Sequence, residues 1–479
     1  MIDKSTDNKE GEKLFKLKHQ KRSFLGIIIS TFFLRVAFGS TTVLMPLYIY
    51  KHLKMEGWIA NIAIMIVEVT YALAVIASSG YFGSKADLDD AKKWILFGTA
   101  SGGLVLFGYG VCAFNWQGLI GIVPLANGLI IFGMSIYHFI HGVAGSAKVN
   151  ASYGYISRFS VYENRATRMG IYNVAVTAGR STGVVLAGFL YKFFVGQSDD
   201  VSWQPLRPSW LVYEYLVFAF FLIISALIVY FSVEKTRPVI SKSSFNLKKQ
   251  LLASWNLLTN KDRRGIILPL VGTASIIGIL NNWAFLVISL ETGADVGSTV
   301  TVLLTLLMGA PMALWGYVAD KIGRKKTLAI GVFGMIGMTF MLGFSYFGNY
   351  VDPDDLSSIL EHSWIITLLV IFVILASAYF PAISGRLGDS SSIGFKEERH
   401  GTTMSVQQTI MSLSEIIGIV LGGVALIVVY SFVGDIYFYY NMIGLMIPIV
   451  FLLILTTIAT LLWPAEEEFI SKANVRRKE

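Results

Sequence analysis

The chain is predicted to be an all-α integral membrane protein, with twelve transmembrane helices in two pseudo-symmetric six-helix bundles. Three observations predict it. Of 479 residues, 54% are hydrophobic and only 15% are Asp, Glu, Lys or Arg, against about a quarter in an average soluble domain. A surface so short of charge must face something other than water, and a bilayer answers that. Twelve apolar stretches are long enough to cross one, and the basic residues between them mark one side.

A helix needs about 20 mainly apolar residues to cross a hydrocarbon core about 30 Å thick. The stretches fall near 24–50, 57–83, 94–113, 117–146, 168–194, 210–232, 265–290, 298–318, 327–347, 363–387, 402–431 and 438–463. They are continuous rather than alternating, which separates them from barrel strands. Helices also satisfy every backbone group internally. The organisation that follows is a polar, Lys-rich tail over 1–23, a bundle over 24–232, a linker over 233–264, a second bundle over 265–463 and a tail over 464–479. The first tail lacks the apolar core of a signal peptide. Within the linker, Phe245 to Leu258 reads equally as an amphipathic surface helix and as a solvated connection.

With both tails placed in the cytoplasm, 33 of the 39 Lys and Arg fall on that side. Four (Lys51, Lys54, Lys192 and Arg207) fall outside, and Arg35 and Arg180 lie within spans. This is the positive-inside pattern, and a multi-pass protein of the cell membrane is the expectation. Scattered over loops on one side, the net charge of +8 is not a nucleic-acid surface. The acidic stretch 348–362 is expected outside. A single cysteine, Cys112, leaves no intrachain disulfide, and its apolar surroundings assign it to packing. Tyr48, Trp58, Trp116, Trp210, Trp364 and Trp463 near span ends read as an interfacial belt.

The halves repeat. Gly80-Tyr81 and Gly316-Tyr317 lie 236 residues apart. At an offset of 235, Met169 falls on Met404, Asn173 on Gln408, Thr177 on Ser412, Arg180 on Glu415, Gly183 on Gly418 and Gly188 on Gly423. Parallel repeats around a midplane site are a transporter plan.

Residues 316–326, GYVADKIGRKK, lie between the eighth and ninth spans. Gly316, Asp320, Gly323, Arg324 and Lys325 match Gly-x-x-x-Asp-x-x-Gly-Arg-Lys/Arg, and here the chain resembles the major facilitator superfamily of transporters. Gly316 permits close helix approach and Gly323 a tight turn; Asp320 can cap a neighbouring helix, where the macrodipole favours negative charge. The resemblance implies that this loop faces the start of the fifth span, hence Arg165 and Arg168, as a latch that opens during transport. The first-half copy, GYFGSKADLDDAKK, departs from the pattern. Read from Gly80, Ser84 takes the Asp position and no Gly-Arg follows, so a weaker latch is expected there.

The fifth span is similar to the signature Gly-x8-Gly-x3-Gly-Pro-x2-Gly-Gly of proton-driven drug exporters. Gly170, Gly179, Gly183 and Gly188 match, with Val184 for Pro and Ala187 for a Gly. A small-residue packing stripe explains the same glycines. In the fourth span, IYHFIHG is similar to the exporter pattern Arg-x-x-Gln-Gly, with His138 for Arg, His141 for Gln and Gly142 kept. Histidine changes charge near neutral pH; a structural histidine pair is the alternative. Two His three apart lack a third zinc ligand.

Arg35, Glu68, Arg180 and Glu415 sit near mid-span, where each must face protein or a water-filled cavity. By the resemblance, spans 1, 2, 5 and 11 reach that cavity, and spans 3, 6, 9 and 12 are outer scaffold. Desolvated carboxylates can take up protons, so Glu68 and Glu415 are the candidate carriers. Arg35 and Arg180 either bind an anionic group or hold the glutamates ionised, and static ion pairs are the alternative for all four. Asn173 and Thr177 share a face with Arg180, as Gln408 and Ser412 do with Glu415. Asn281 and Asn282 interrupt the seventh span, where amides demand partners, either substrate or a neighbouring helix.

No phosphate-binding loop, metal cluster or nucleophile motif occurs. The expectation is therefore no enzyme and no cofactor. It is a monomeric secondary transporter of a small organic solute, working by alternating access and coupled to protons. The motifs of spans 4 and 5 favour efflux of lipophilic or cationic compounds. The arginines and the Asn pair favour uptake or exchange of a hydrophilic anion or sugar. A sensor of the same fold without turnover is the third reading.

Overall fold

The structure, a computed structural model, describes residues 19–55, 57–114, 116–160, 162–194, 210–236, 261–284, 286–287, 303, 306–347, 362–389, 400–433 and 438–461. Among them there is no strand. The helices are α1 (Gln20–Leu47), α2 (Gly57–Leu88), α3 (Ala91–Cys112), α4 (Val123–Arg158), α5 (Tyr162–Phe194) and α6 (Trp210–Ser232), then α7 (Lys261–Ile279), α8 (Met312–Ile322), α9 (Arg324–Phe347), α10a (Ser363–Ala376), α10b (Tyr379–Asp389), α11 (His400–Val433) and α12 (Phe438–Leu461). Residues 306–309 are helical ahead of α8. Nine helices among the described residues are long and apolar enough to cross a membrane. The seventh and eighth predicted spans run partly outside the described residues. So do the stretch Phe245 to Leu258, the acidic 348–362 stretch apart from His362, and nearly all of both tails.

The ends of the helices follow from local chemistry. Asp90 accepts the backbone N–H of Lys92 at 3.1 Å and so starts α3, an ordinary N-cap. Gly323 ends α8 at φ +101°, a conformation that penalises any residue with a Cβ. Helix α1 passes into a π-turn at Tyr48–His52 and α7 into another at Leu280–Ala284. Such turns frequently mark functional positions in helices.

Each half packs as a bundle. Helix α1 lies on α5 and α6, and α4 lies on α2 and α3; in the second half α7 lies on α11 and α12, and α9 on both parts of the tenth span. The halves meet mainly through α2 against α11 and α5 against α8, with α4 and α10b adding to the seam. The perimeter is apolar and exposed, as Leu104, Phe107, Phe132, Phe220 and Phe340 show. That is the surface a lipid-facing protein presents.

The inner end of α4 differs from the sequence reading. Helix α4 runs to Arg158 rather than ending near 146, so Lys148 is buried inside it and donates to Ser30 Oγ at 3.4 Å. Arg386 is likewise buried, on α10b. Both count among the cytoplasmic-side charges of the positive-inside tally, and both lie in the protein interior instead; for Lys148 the reason is that hydropathy falls where α4 continues through a polar interior. Tyr48 also leaves the interfacial belt, whereas Trp116 is half-buried at a helix end. Tyr48 is buried and donates to the Cys112 carbonyl, and the Trp116 indole donates to the Val111 carbonyl. Trp58 and Trp364 are exposed.

Candidate functional site

The site begins with a glycine crossing. A Cβ on Gly179 would meet Phe32 and Arg35, one on Gly183 would meet the Val36 carbonyl, and one on Gly39 would meet the Arg180 carbonyl. Helices α1 and α5 therefore touch backbone to backbone, as small residues permit, and this brings the Arg35 and Arg180 segments together. The second half repeats the device: Gly418 of α11 lies on the Ser275 carbonyl of α7, and Gly278 lies on Glu415. Glu415 precedes Gly418 as Arg180 precedes Gly183. Gly170 serves another contact, against Met312 and Ala313 at the seam, and Gly188 is buried.

Between the halves lies a cavity of about 360 Å³. Arg35, Glu68, His138, Asn173, Arg180, Asn282, Gln408 and Glu415 all stand on its wall. The Asn281 side chain lies outside the described residues. Among the described residues neither guanidinium lies within ion-pair distance of a carboxylate. Arg180 reaches Thr42 Oγ1 at 3.4 Å, and the Arg35 Nε is buried without a partner. The static pairing weighed for Arg180 and Glu415 is thus not what this geometry contains. Asn282 donates to the Gly278 carbonyl of its own helix at 2.8 Å, and its neighbour Trp283 ties α7 to the Ile419 carbonyl of α11 at 2.9 Å. Asn173 accepts from the Tyr153 hydroxyl at 2.6 Å and leaves its amide nitrogen without a partner.

Glu68 does have a partner. Its Oε2 lies 3.4 Å from His138 Nε2, and His138 Nδ1 is hydrogen-bonded to the Tyr109 hydroxyl. Both imidazole nitrogens are therefore engaged. His141 stacks on Phe38 and faces Tyr71 edge-on. Among the described residues no cluster of three metal-ligating side chains occurs.

At the end predicted to be cytoplasmic the seam is tied by two carboxylates. Asp320 accepts the backbone N–H groups of Ala166 (3.2 Å) and Thr167 (2.8 Å) and the Thr167 hydroxyl (2.6 Å), while Arg324 Nη2 holds it at 3.0 Å. It caps the α5 backbone. Arg168, which the latch was expected to face, turns to the Phe159 carbonyl and lies over the Phe24 ring; Arg165 donates to the Ser160 carbonyl. Backbone N–H groups at a helix start accept a carboxylate without ordering a long side chain.

The first half carries the same cap at Asp87, not at Ser84. Asp87 accepts Gly401 N–H (2.8 Å), Thr402 N–H (2.8 Å) and the Thr402 hydroxyl (2.9 Å). Gly83 lies on the Gly401 carbonyl as Gly316 lies on that of Ala166. The true correspondence is Gly-Ser-Lys-Ala-Asp, 83–87, with Gly-Tyr-Val-Ala-Asp, 316–320. The Gly80-Tyr81 match set the register one helical turn off. Beside this cap the His400 ring meets Ser157 Oγ at 2.8 Å. Glu214 was missed as well: it is fully buried on α6, a helix read as uncharged at mid-span, and both its carboxylate oxygens are buried without hydrogen-bond partners.

The sequence profile of the Major Facilitator Superfamily matches residues 27–419. The chain belongs to that superfamily. Its fold is similar to the human organic anion transporter MFSD10 (TETRAN), at 13% identity over 91% of this chain and 100% of that one, with a TM-score of 0.60. It is similar to the proton:xylose symporter XylE, at 16% identity over 90% and 95% with a TM-score of 0.61. A bacterial homologue of the iron transporter ferroportin, in an outward-facing state, matches at 12% identity over 93% and 99% with a TM-score of 0.57. No curated protein sequence matches the chain. Membership of the superfamily makes the chain a multi-pass membrane transporter and not an enzyme. In α5, Gly170, Gly179 and Gly183 make close packing contacts.

Proposed function

We propose that this chain is a proton-coupled secondary transporter of a small organic solute, working by alternating access around the cavity between the halves. The observation that carries the reading is the placement of Glu68 and Glu415, from opposite halves, on one cavity wall with Arg35 and Arg180. A carboxylate in such a setting binds a proton or compensates an arginine, and a solute that competes for either role couples its own movement to the proton's. Glu68 and His138, hydrogen-bonded to each other on the cavity wall, are the groups that hold the proton there. The caps of Asp87 and Asp320 close one end, and their release opens it.

Efflux of a lipophilic cation keeps one observation in its favour, the Glu415 carboxylate, which lies in no ion pair among the described residues. Two guanidiniums without carboxylate partners point instead to an anionic group, and carry more weight. The test uses proteoliposomes loaded with a pH dye and challenged with organic anions, sugars and lipophilic cations. Solute-dependent proton movement that disappears in Glu68→Gln and in Glu415→Gln supports the coupling. Proton movement unchanged in the double variant overturns it, and exchange of no solute in counterflow favours a sensor.

A further inference from the structure

The cavity is furnished unevenly. Helices α1, α2, α4 and α5 contribute Arg35, Glu68, His138, His141 and Arg180. The wall from residues 306–309 and helices α8, α9, α10a and α10b is Met308, Met312, Met338, Leu369, Val373 and Phe380. Among the described residues it presents no polar side chain, and Met411 of α11 continues it.

Each wall restricts what can bind. A half-buried arginine without a carboxylate partner pairs well with an anion, since its fork of donors matches carboxylate oxygens. Methionine fills irregular apolar space and tolerates varied shapes. A sugar would leave hydroxyls facing the methionine wall without partners, at the cost of burying unpaired polar groups. A lipophilic cation would suit the wall but meet two guanidiniums.

Resting on the transport reading above, we infer that the substrate is an amphiphilic organic anion. Its carboxylate or sulfonate head is held by Arg35 and Arg180, and its apolar body lies against the methionine wall. Glu68 and Glu415 share the head-group end, so a proton taken up there leaves the arginines free for the anion.

The test is binding of radiolabelled octanoate to the protein in nanodiscs, with empty discs subtracted and unlabelled competitors added. Competition tightens about fourfold per added methylene from hexanoate to decanoate, the transfer free energy of a buried CH₂. Octylammonium and gluconate compete at least tenfold more weakly. Met312→Asn flattens the chain-length series, and Arg35→Gln weakens octanoate at least tenfold. Should Arg35→Gln fail to fold, Arg35→Lys keeps the charge and must still prefer octanoate to octylammonium. Equal competition by octylammonium, a flat chain-length series in the unaltered protein, or no binding above empty discs overturns the inference. Counterflow of a sugar without octanoate binding overturns it and leaves the transport reading standing. Octanoate binding without counterflow of any solute does the reverse.

Discussion

Asp87 shows how much one carboxylate does at a helix start. It neutralises two backbone donors and a hydroxyl of α11 across the seam, and an N-cap of this kind is worth about 0.5–2 kcal/mol. Replacing Asp87 by Ala therefore loosens the closed end by a factor of roughly 5 to 30 at the upper half of that range. Maleimide labelling of Ser405→Cys, buried beneath Gly83, in a Cys112→Ala background reads this directly. Labelling rises severalfold with Asp87→Ala and stays unchanged with Ser84→Ala. The reverse ranking restores Ser84 as the latch. The residue was visible in the sequence as GSKAD beside GYVAD, and a dipeptide match at the wrong turn hid it. Asp320 lacked that ambiguity because Gly323 and Arg324 fixed its register.

Glu214 poses the opposite problem, a buried carboxyl whose contacts give it no reason to be there. Leaving both oxygens without partners costs free energy, and filling the site with an apolar side chain removes that cost. Glu214→Met is expected to raise thermal stability by about 1 kcal/mol or more, measured by unfolding in detergent, with transport intact. A lower midpoint overturns the reading of Glu214 as an uncompensated buried carboxyl.

Among the elements, the α1–α5 crossing decides where the arginines stand. Its glycines were legible as a small-residue stripe, but which helix they faced was not, since a stripe names no partner. Gly183→Ala pushes a methyl into the Val36 carbonyl, and overpacking of this kind costs about 1–3 kcal/mol. Gly103→Ala, where a Cβ meets nothing within 4 Å, is stabilising by roughly 0.5–1 kcal/mol from helix propensity alone. Unfolding midpoints of the pair separate a contact from a propensity effect, and equal midpoints remove the crossing as a constraint. The mean hydropathy that located the spans was blind to the inner end of α4. There Lys148 is covered by other helices rather than by lipid, so a polar stretch reads as an ending where the helix in fact continues.

For the molecule as a whole, what the duplication placed at equivalent positions is an arginine and a glutamate: Arg180 and Glu415 are repeat mates on opposite halves, facing one cavity. The titratable and charged groups that share the cavity wall with Glu415 are Arg180 of α5, Arg35 of α1, Glu68 and Tyr71 of α2, and His138 and His141 of α4. With both glutamates ionised the two guanidiniums are balanced, and an anion enters against that balance. A proton on either carboxylate leaves a positive excess, so anion binding and proton binding favour one another by linkage. The sign follows: the dissociation constant for octanoate falls as pH falls, by up to about tenfold per pH unit where one proton is exchanged. Glu415→Gln mimics the protonated state, and its affinity is high and less dependent on pH. Binding titrations at several pH values on the two proteins decide the matter. A flat profile in the unaltered protein, or weaker binding in Glu415→Gln, would separate the carboxylate from the anion site and leave Glu415 as a group that only orients α7 against α11.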